Sequence, residues 1–209
     1  MMRFYLAIIL ISFCCFITVN CHAQQAGNQS NKSKNSDSAQ VATVSLGFYN
    51  WYLNCLKHDS TYNIIQPLYH WEDNIPVLET QKYIDKLEEM ELVSGTFINF
   101  EKERFRICQD SLNHIDYEEV IKDGVSVGSY YKECYFIDSY YWLDSQEYPD
   151  SCEIRTVQIA NNTASCQLAF FWNSELSDGK QYDSNFHCKM NLVKSGKKWL
   201  VDRIDIKRN

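Results

Sequence analysis

The chain has 209 residues, with 20 Lys and Arg against 27 Asp and Glu, for a formal net charge of −7. Apolar residues make up 45% and charged residues 22%, the mix of a globular protein, which excludes a wholly disordered chain. With 7 Gly and 3 Pro, a collagen-like repeat is excluded and few glycines remain for a phosphate loop, while the acidic balance argues against a nucleic-acid partner.

Residues 1–23 read as an export signal. Arg3 supplies the positive start, and Leu6 to Val19 is an uncharged, mostly apolar run. That run is shorter than the roughly 20 residues a bilayer span requires and suits a signal core. Cys21-His22-Ala23 puts small residues at the positions a signal peptidase reads, so the expected cut precedes Gln24. The alternative is lipidation at Cys21, which would make an outer-membrane lipoprotein. The expected location is therefore periplasmic or secreted, with no membrane span after processing. Residues 24–41 carry almost no large apolar side chain and read as a flexible linker. Residues 42–209 are expected to form a single domain.

Within that domain, Leu46, Tyr49, Leu53 and Leu56 recur at helical spacing over 43–57. Residues 58–78 read as irregular, broken by Pro67 and Pro76. A second helix is expected from Thr80 to Val93, with Gly95 past its end. A third runs from Thr96 to Leu112, with Phe97, Phe100, Arg104, Ile107, Cys108 and Leu112 in register, and a short turn surrounds Asp116 and Tyr117. Tyr130 to Leu143 reads as aromatic and partly extended. Then the period changes to two. Strands are expected at Arg155–Ile159, Ala164–Trp172, Phe186–Leu192 and Trp199–Ile206, joined by short turns into an antiparallel meander. Helices first and strands afterwards predict an α+β fold, with N-terminal helices packed on a curved C-terminal antiparallel sheet.

After signal removal, Cys55, Cys108, Cys134, Cys152, Cys166 and Cys188 remain. An even number in an exported chain suggests disulfides, with buried free thiols as the alternative. No pair has C-x-x-C spacing, so neither a zinc ribbon nor a thioredoxin-type site is supported. A symmetric hairpin loop centred near Ser177 would set Cys166 opposite Cys188, a two-residue slip would set Cys166 against Met190 on the same face, and Cys55–Cys108 and Cys134–Cys152 would complete the set.

Phe48-Tyr49-x-Trp51-Tyr52-Leu53 at the start, Ile115-Asp116-Tyr117 mid-chain and the tail from Val157 to Ile206 together resemble a family of uncharacterised exported bacterial domains. In the tail the likeness extends to Leu192-Val193-Lys194 before a glycine turn and to Trp199-x-Val201-x-x-Ile204. The resemblance spans about 45–206. It implies the cone-shaped α+β fold of nuclear transport factor 2 and ketosteroid isomerase (also called cystatin-like), with a concave sheet and a pocket under the helices. It implies no activity, because that fold serves enzymes and binding modules alike.

The chemistry-bearing residues are sparse. His70-Trp71-Glu72-Asp73 and His58-Asp59-Ser60 hold site-like residue types but fall in the irregular segment, where solvated loop residues are the plainer reading. His187 has the parity of an outward face, and His114 sits at a helix end where a cation is favoured. The carboxylates around Glu88, Asp116 and Asp144 lack the spacing of a calcium loop. An isomerase-like pocket would use one buried Asp as base and one Tyr as oxyanion donor. No metal or cofactor is expected. The feature that points to recognition is the aromatic stretch, above all Tyr130, Tyr131, Tyr140, Tyr141 and Trp142. Such side chains offer contact area at low entropic cost together with a polar handle. The expected function is a non-catalytic module binding a protein, peptide or small ligand in the cell envelope. The alternatives are a small-pocket isomerase or hydrolase and a periplasmic inhibitor or immunity protein.

Overall fold

The computed structural model describes residues 36–58, 64–143, 147–173 and 181–208. The signal, most of the linker and the Asp59-Ser60 and Asp144 positions lie outside these. Helix α1 covers 36–56 and buries Val41, Ser45, Phe48, Tyr49, Tyr52 and Leu56, one face at helical spacing. It starts seven residues ahead of the expected 43, and Val41 in that extension is fully buried in the core. Once one face is anchored, extending a helix costs little compared with nucleating it.

The segment read as irregular holds a hairpin, β1 (Leu68–Glu72) and β2 (Ile75–Glu79), closed by Asp73 and Asn74. Both turn residues have positive φ, 48° and 66°, the mirror-image turn that matches strand twist. Pro76 masked this hairpin in the sequence, yet it stands opposite Trp71 in a two-stranded sheet, where a missing N–H is tolerated.

Helix α2 (Gln81–Glu89) ends at Met90, and Glu91 takes the left-handed conformation. Gly95 therefore does not terminate α2 as expected. It opens α3 (Gly95–Leu112), where the Ser94 side chain accepts from the Phe97 N–H at 3.0 Å. Asp116 caps α4 (Tyr117–Asp123) by accepting from the N–H groups of Glu118 and Glu119. The stretch expected to be extended is instead a run of tight turns: α5 (Val127–Tyr130) and two 3₁₀ segments, Lys132–Ile137 and Tyr141–Leu143. Gly128 permits this run, because a Cβ there would stand 2.7 Å from Asp138 Oδ2.

Strands β3 (Ser151–Ala160), β4 (Thr163–Asn173), β5 (Gln181–Ser195) and β6 (Lys198–Arg208) form one antiparallel sheet in sequential order. One face is apolar, with Cys166, Leu168, Phe170, Cys188 and Met190 all fully buried. That face packs on the helices: the Tyr49 ring meets Phe170 at 5.0 Å, and its hydroxyl lies 2.9 Å from Cys188 Sγ. The opposite face carries Glu153, Gln167 and Lys189, all exposed. The architecture is α+β, with helices on one side of an antiparallel sheet, as the change of period in the sequence anticipated. From Gln40 of α1 onward these elements belong to the unit Gln40–Asn209.

The thiols depart from expectation. Among the described residues a disulfide joins Cys108 to Cys134, while Cys55, Cys152, Cys166 and Cys188 stay outside any disulfide. The pairings Cys55–Cys108, Cys134–Cys152 and Cys166–Cys188 are therefore corrected. Near the β4–β5 loop the register is the symmetric one, with Phe171 opposite Asp183. An irregularity then inserts extra residues in β5, so that Ala169 pairs with His187 and Cys166 faces Met190 instead of Cys188.

Candidate functional site

α3 turns Phe97, Glu101, Phe105, Cys108 and Leu112 into the core. The expected stripe was therefore rotated, because Phe100 and Ile107 are 59% and 43% exposed while Glu101 is fully buried. A carboxylate reaches such a position only with its oxygens satisfied. Here the Tyr83 hydroxyl donates to Glu101 Oε2 at 2.9 Å, and Arg104 Nη2 donates to the same oxygen at 2.8 Å. The Tyr141 hydroxyl donates to Oε1 at 3.5 Å. Trp142 Nε1 in turn donates to the Tyr83 oxygen at 3.1 Å. Burial pushes the Glu101 carboxyl up to about 7, against the opposing pull of Arg104 and the Tyr83 hydrogen bond.

Arg104 is held by rings as much as by charge. Its guanidinium carbon stacks 3.4 Å from the Tyr141 centroid and lies about 5 Å from those of Phe105 and Phe136. Nε and Nη1 are buried without hydrogen-bond partners and sit among these ring faces. Desolvation lowers the guanidinium pKa, and Glu101 opposes that shift. Buried Gln66 braces the assembly from the other side, donating to the Phe136 carbonyl and accepting from the Tyr141 N–H, each at 3.4 Å. The Cys108–Cys134 disulfide pins the 3₁₀ segment to α3.

Of these residues Arg104, Tyr141 and Trp142 face a cavity of about 440 Å³ between α3 and β6. Phe97, Arg104, Tyr141 and Trp142 line its inner side, and Phe100 and Tyr135, the latter 42% exposed, stand at its mouth. Asp202, Arg203, Ile204 and Asp205 of β6 border it opposite. A second hollow of about 490 Å³ shares Tyr135, Tyr141, Trp142 and Ile204 and continues past Lys132 and Ile206. Glu101 does not border either one. A further hollow of about 530 Å³ at the β3–β4 and β5 hairpin end has no buried charged group beside it.

Of the five aromatic residues singled out in the sequence, Tyr141 and Trp142 are in this wall. Tyr130, Tyr131 and Tyr140 are half-buried and do not line it. The histidines do not converge with it. His70 pairs with Glu79 at 3.1 Å on the hairpin, both half-exposed, and His58 and His114 are exposed. The His187 side chain lies outside the described ones. Burial disfavours the thiolate form of three of the thiols. Burial pushes Cys188 up to about 12 and Cys152 up to about 11, and raises Cys166. Among the described residues, no three His, Cys, Asp or Glu side chains come together to hold a metal ion.

Sequence reasoning missed Glu101, which looks like any acid on a helix. It also missed Phe100 and Tyr135 as mouth residues. The available signal was Arg104 three residues after Glu101, beside a Phe97 and Phe105 that must both face inward.

No family model and no curated protein matches the chain. Among solved structures, a chain titled Rd1NTF2_05 with five substitutions is similar at 13% identity, over 36% of this chain and 61% of that one, with a TM-score of 0.23.

Proposed function

We propose that the chain is an exported, non-catalytic binding module of the nuclear-transport-factor-2-like type, and that its ligand seat is the aromatic cavity between α3 and β6. One observation carries this reading: Glu101, the buried carboxylate among the described residues, is withdrawn behind Tyr83, Tyr141 and Arg104 and does not open on the cavity. A reaction base must reach its substrate within hydrogen-bond distance. Here the one acid with a pKa near neutrality is committed to holding the wall. What a ligand meets on the inner side is ring surface around Arg104, held in place by the hydrogen bonds of Glu101, Tyr83 and Trp142 behind it, which suits recognition. The isomerase reading draws support only from the neutral-range pKa of Glu101 and would need that side chain exposed to the cavity.

The test is titration of the apolar dye 8-anilinonaphthalene-1-sulfonate. Phe100→Ala and Tyr135→Ala should each weaken dye binding several-fold with little change in Tm, and His70→Ala should leave it unchanged. Equal binding by all three variants and the parent would overturn the assignment of the seat. Export is checked by the intact mass of protein recovered from the cell envelope. A mature start at Gln24 supports the proposed cut, whereas a lipidated Cys21 would make the module membrane-tethered.

A further inference from the structure

We infer that the module takes an extended peptide, added as a strand along the outer edge of β6 with its side chains in the aromatic cavity. This rests on the cavity being the ligand seat. β6 is an edge strand of the sheet, paired on one side with β5. Its other side already accepts a strand for a short distance. Val93 makes a parallel bridge with Val201, the Val201 N–H donates to the Leu92 carbonyl at 2.8 Å, and the Ser94 N–H donates to the Val201 carbonyl at 2.8 Å. The chain then leaves the edge at Gly95 to start α3. Among the described residues no strand pairs with this side of β6 beyond Val201.

The cavity opens where that short strand departs. Four consecutive β6 residues, Asp202 to Asp205, border it. Asp202 is the extra residue of a register irregularity opposite Asn191 and Leu192, and beyond it Arg203, Ile204 and Asp205 alternate between the two faces, so these three bordering one cavity means that the cavity runs along the strand edge and not over one face. Across the gap stand Phe97, Phe100, Tyr135 and Trp142, able to receive alternate side chains of a strand lying between. Strand addition draws affinity from main-chain hydrogen bonds and specificity from such side-chain pockets.

Charges on an edge usually guard it against added strands. Here they are tied down locally. Arg203 pairs with Asp205 at 2.7 Å, Asn191 also donates to Asp205, and Asp202 accepts from Ser94 Oγ at 2.7 Å. The edge therefore presents its backbone beside an aromatic wall, with its acids already satisfied.

The experiment pans a random nonapeptide display library on the disulfide-bonded protein. The strongest peptide is then made in two forms, each N-methylated at alternate residues of opposite parity. One form should bind at least about tenfold more weakly than the other, since N-methylation removes only the hydrogen bonds of the residues facing β6. Hydrogen exchange should show new protection in Arg203–Ile206 on binding, and Phe100→Ala should weaken the peptide and the dye alike. Equal binding by both N-methylated forms would overturn strand addition. No enriched peptide, with dye binding still lost in Phe100→Ala, would overturn the inference and leave the seat standing, while loss of both would remove the seat. A dimer by sedimentation that protects the same amides without peptide would assign the edge to a second copy of the chain and overturn the peptide.

Discussion

Glu101 binds its proton more tightly in the folded protein than in the unfolded chain, because its pKa rises from 4.5 to about 7 on burial. Below about pH 4.5 the group is protonated in both states and contributes no pH dependence. Between 4.5 and 7 the folded state holds more protons, so stability falls as pH rises, by on the order of 3 kcal/mol across the window. Exposed Glu91 and Glu103 and half-buried Glu133 have lowered pKa values, so their stabilisation is lost at the acid end instead. Urea midpoints measured from pH 5 to 8 should therefore decline in the parent and flatten in Glu101→Gln. An equal decline in the variant would assign the effect to another group. Tyr83→Phe should cost about 2 kcal/mol, since it removes a donor from Glu101 and the acceptor of Trp142 Nε1 at once. Thermal unfolding checks this, and a loss below about 0.5 kcal/mol would show that the network does not need Tyr83. None of this is legible from Glu101 itself. A buried acid is betrayed only by its partners, and Tyr83 and Tyr141 lie 18 and 40 residues away along the chain.

At the level of elements, the meander was plain from alternation because Ala164–Leu168 of β4 and Cys188–Leu192 of β5 bury every second side chain. The disulfide was not, because an irregularity within one strand shifts the register without leaving a mark in hydrophobic parity. The helices and turns around Tyr130 were misread for a different reason. Clustered tyrosines favour strands on propensity, whereas here tertiary packing under Gly128 and the Cys108–Cys134 bridge dictates tight turns. Non-reducing peptide mapping should recover Cys108–Cys134 with Cys55, Cys152, Cys166 and Cys188 alkylated only after unfolding. Replacing both bridged cysteines by Ser should lower stability by on the order of 3–4 kcal/mol on the loop-entropy account. Because the bridge also pins the segment carrying Tyr135, the dye should bind the double variant more weakly than the parent even where the variant is fully folded.

Across the whole molecule, the last strand holds together elements made much earlier. β6 supplies buried Trp199 and Val201, borders the cavity, and fixes the Leu92–Ser94 link between α2 and α3. Removing Lys198–Arg208 should therefore abolish the cooperative unfolding transition and not merely shorten the sheet, as circular dichroism against urea would show. A truncated chain that still unfolds cooperatively would mean that the helices hold their own core.

The Val93–Val201 bridge also sets a timetable. The link between α2 and α3 is fixed from far along the chain, Ser94 meeting Asp202 across 108 positions, and Tyr49 meets Cys188 across 139. Contacts so distant along the chain form late and slowly. During synthesis α2 and α3 are made before the strand against which they settle, so they lack their closing contact until β6 has followed them.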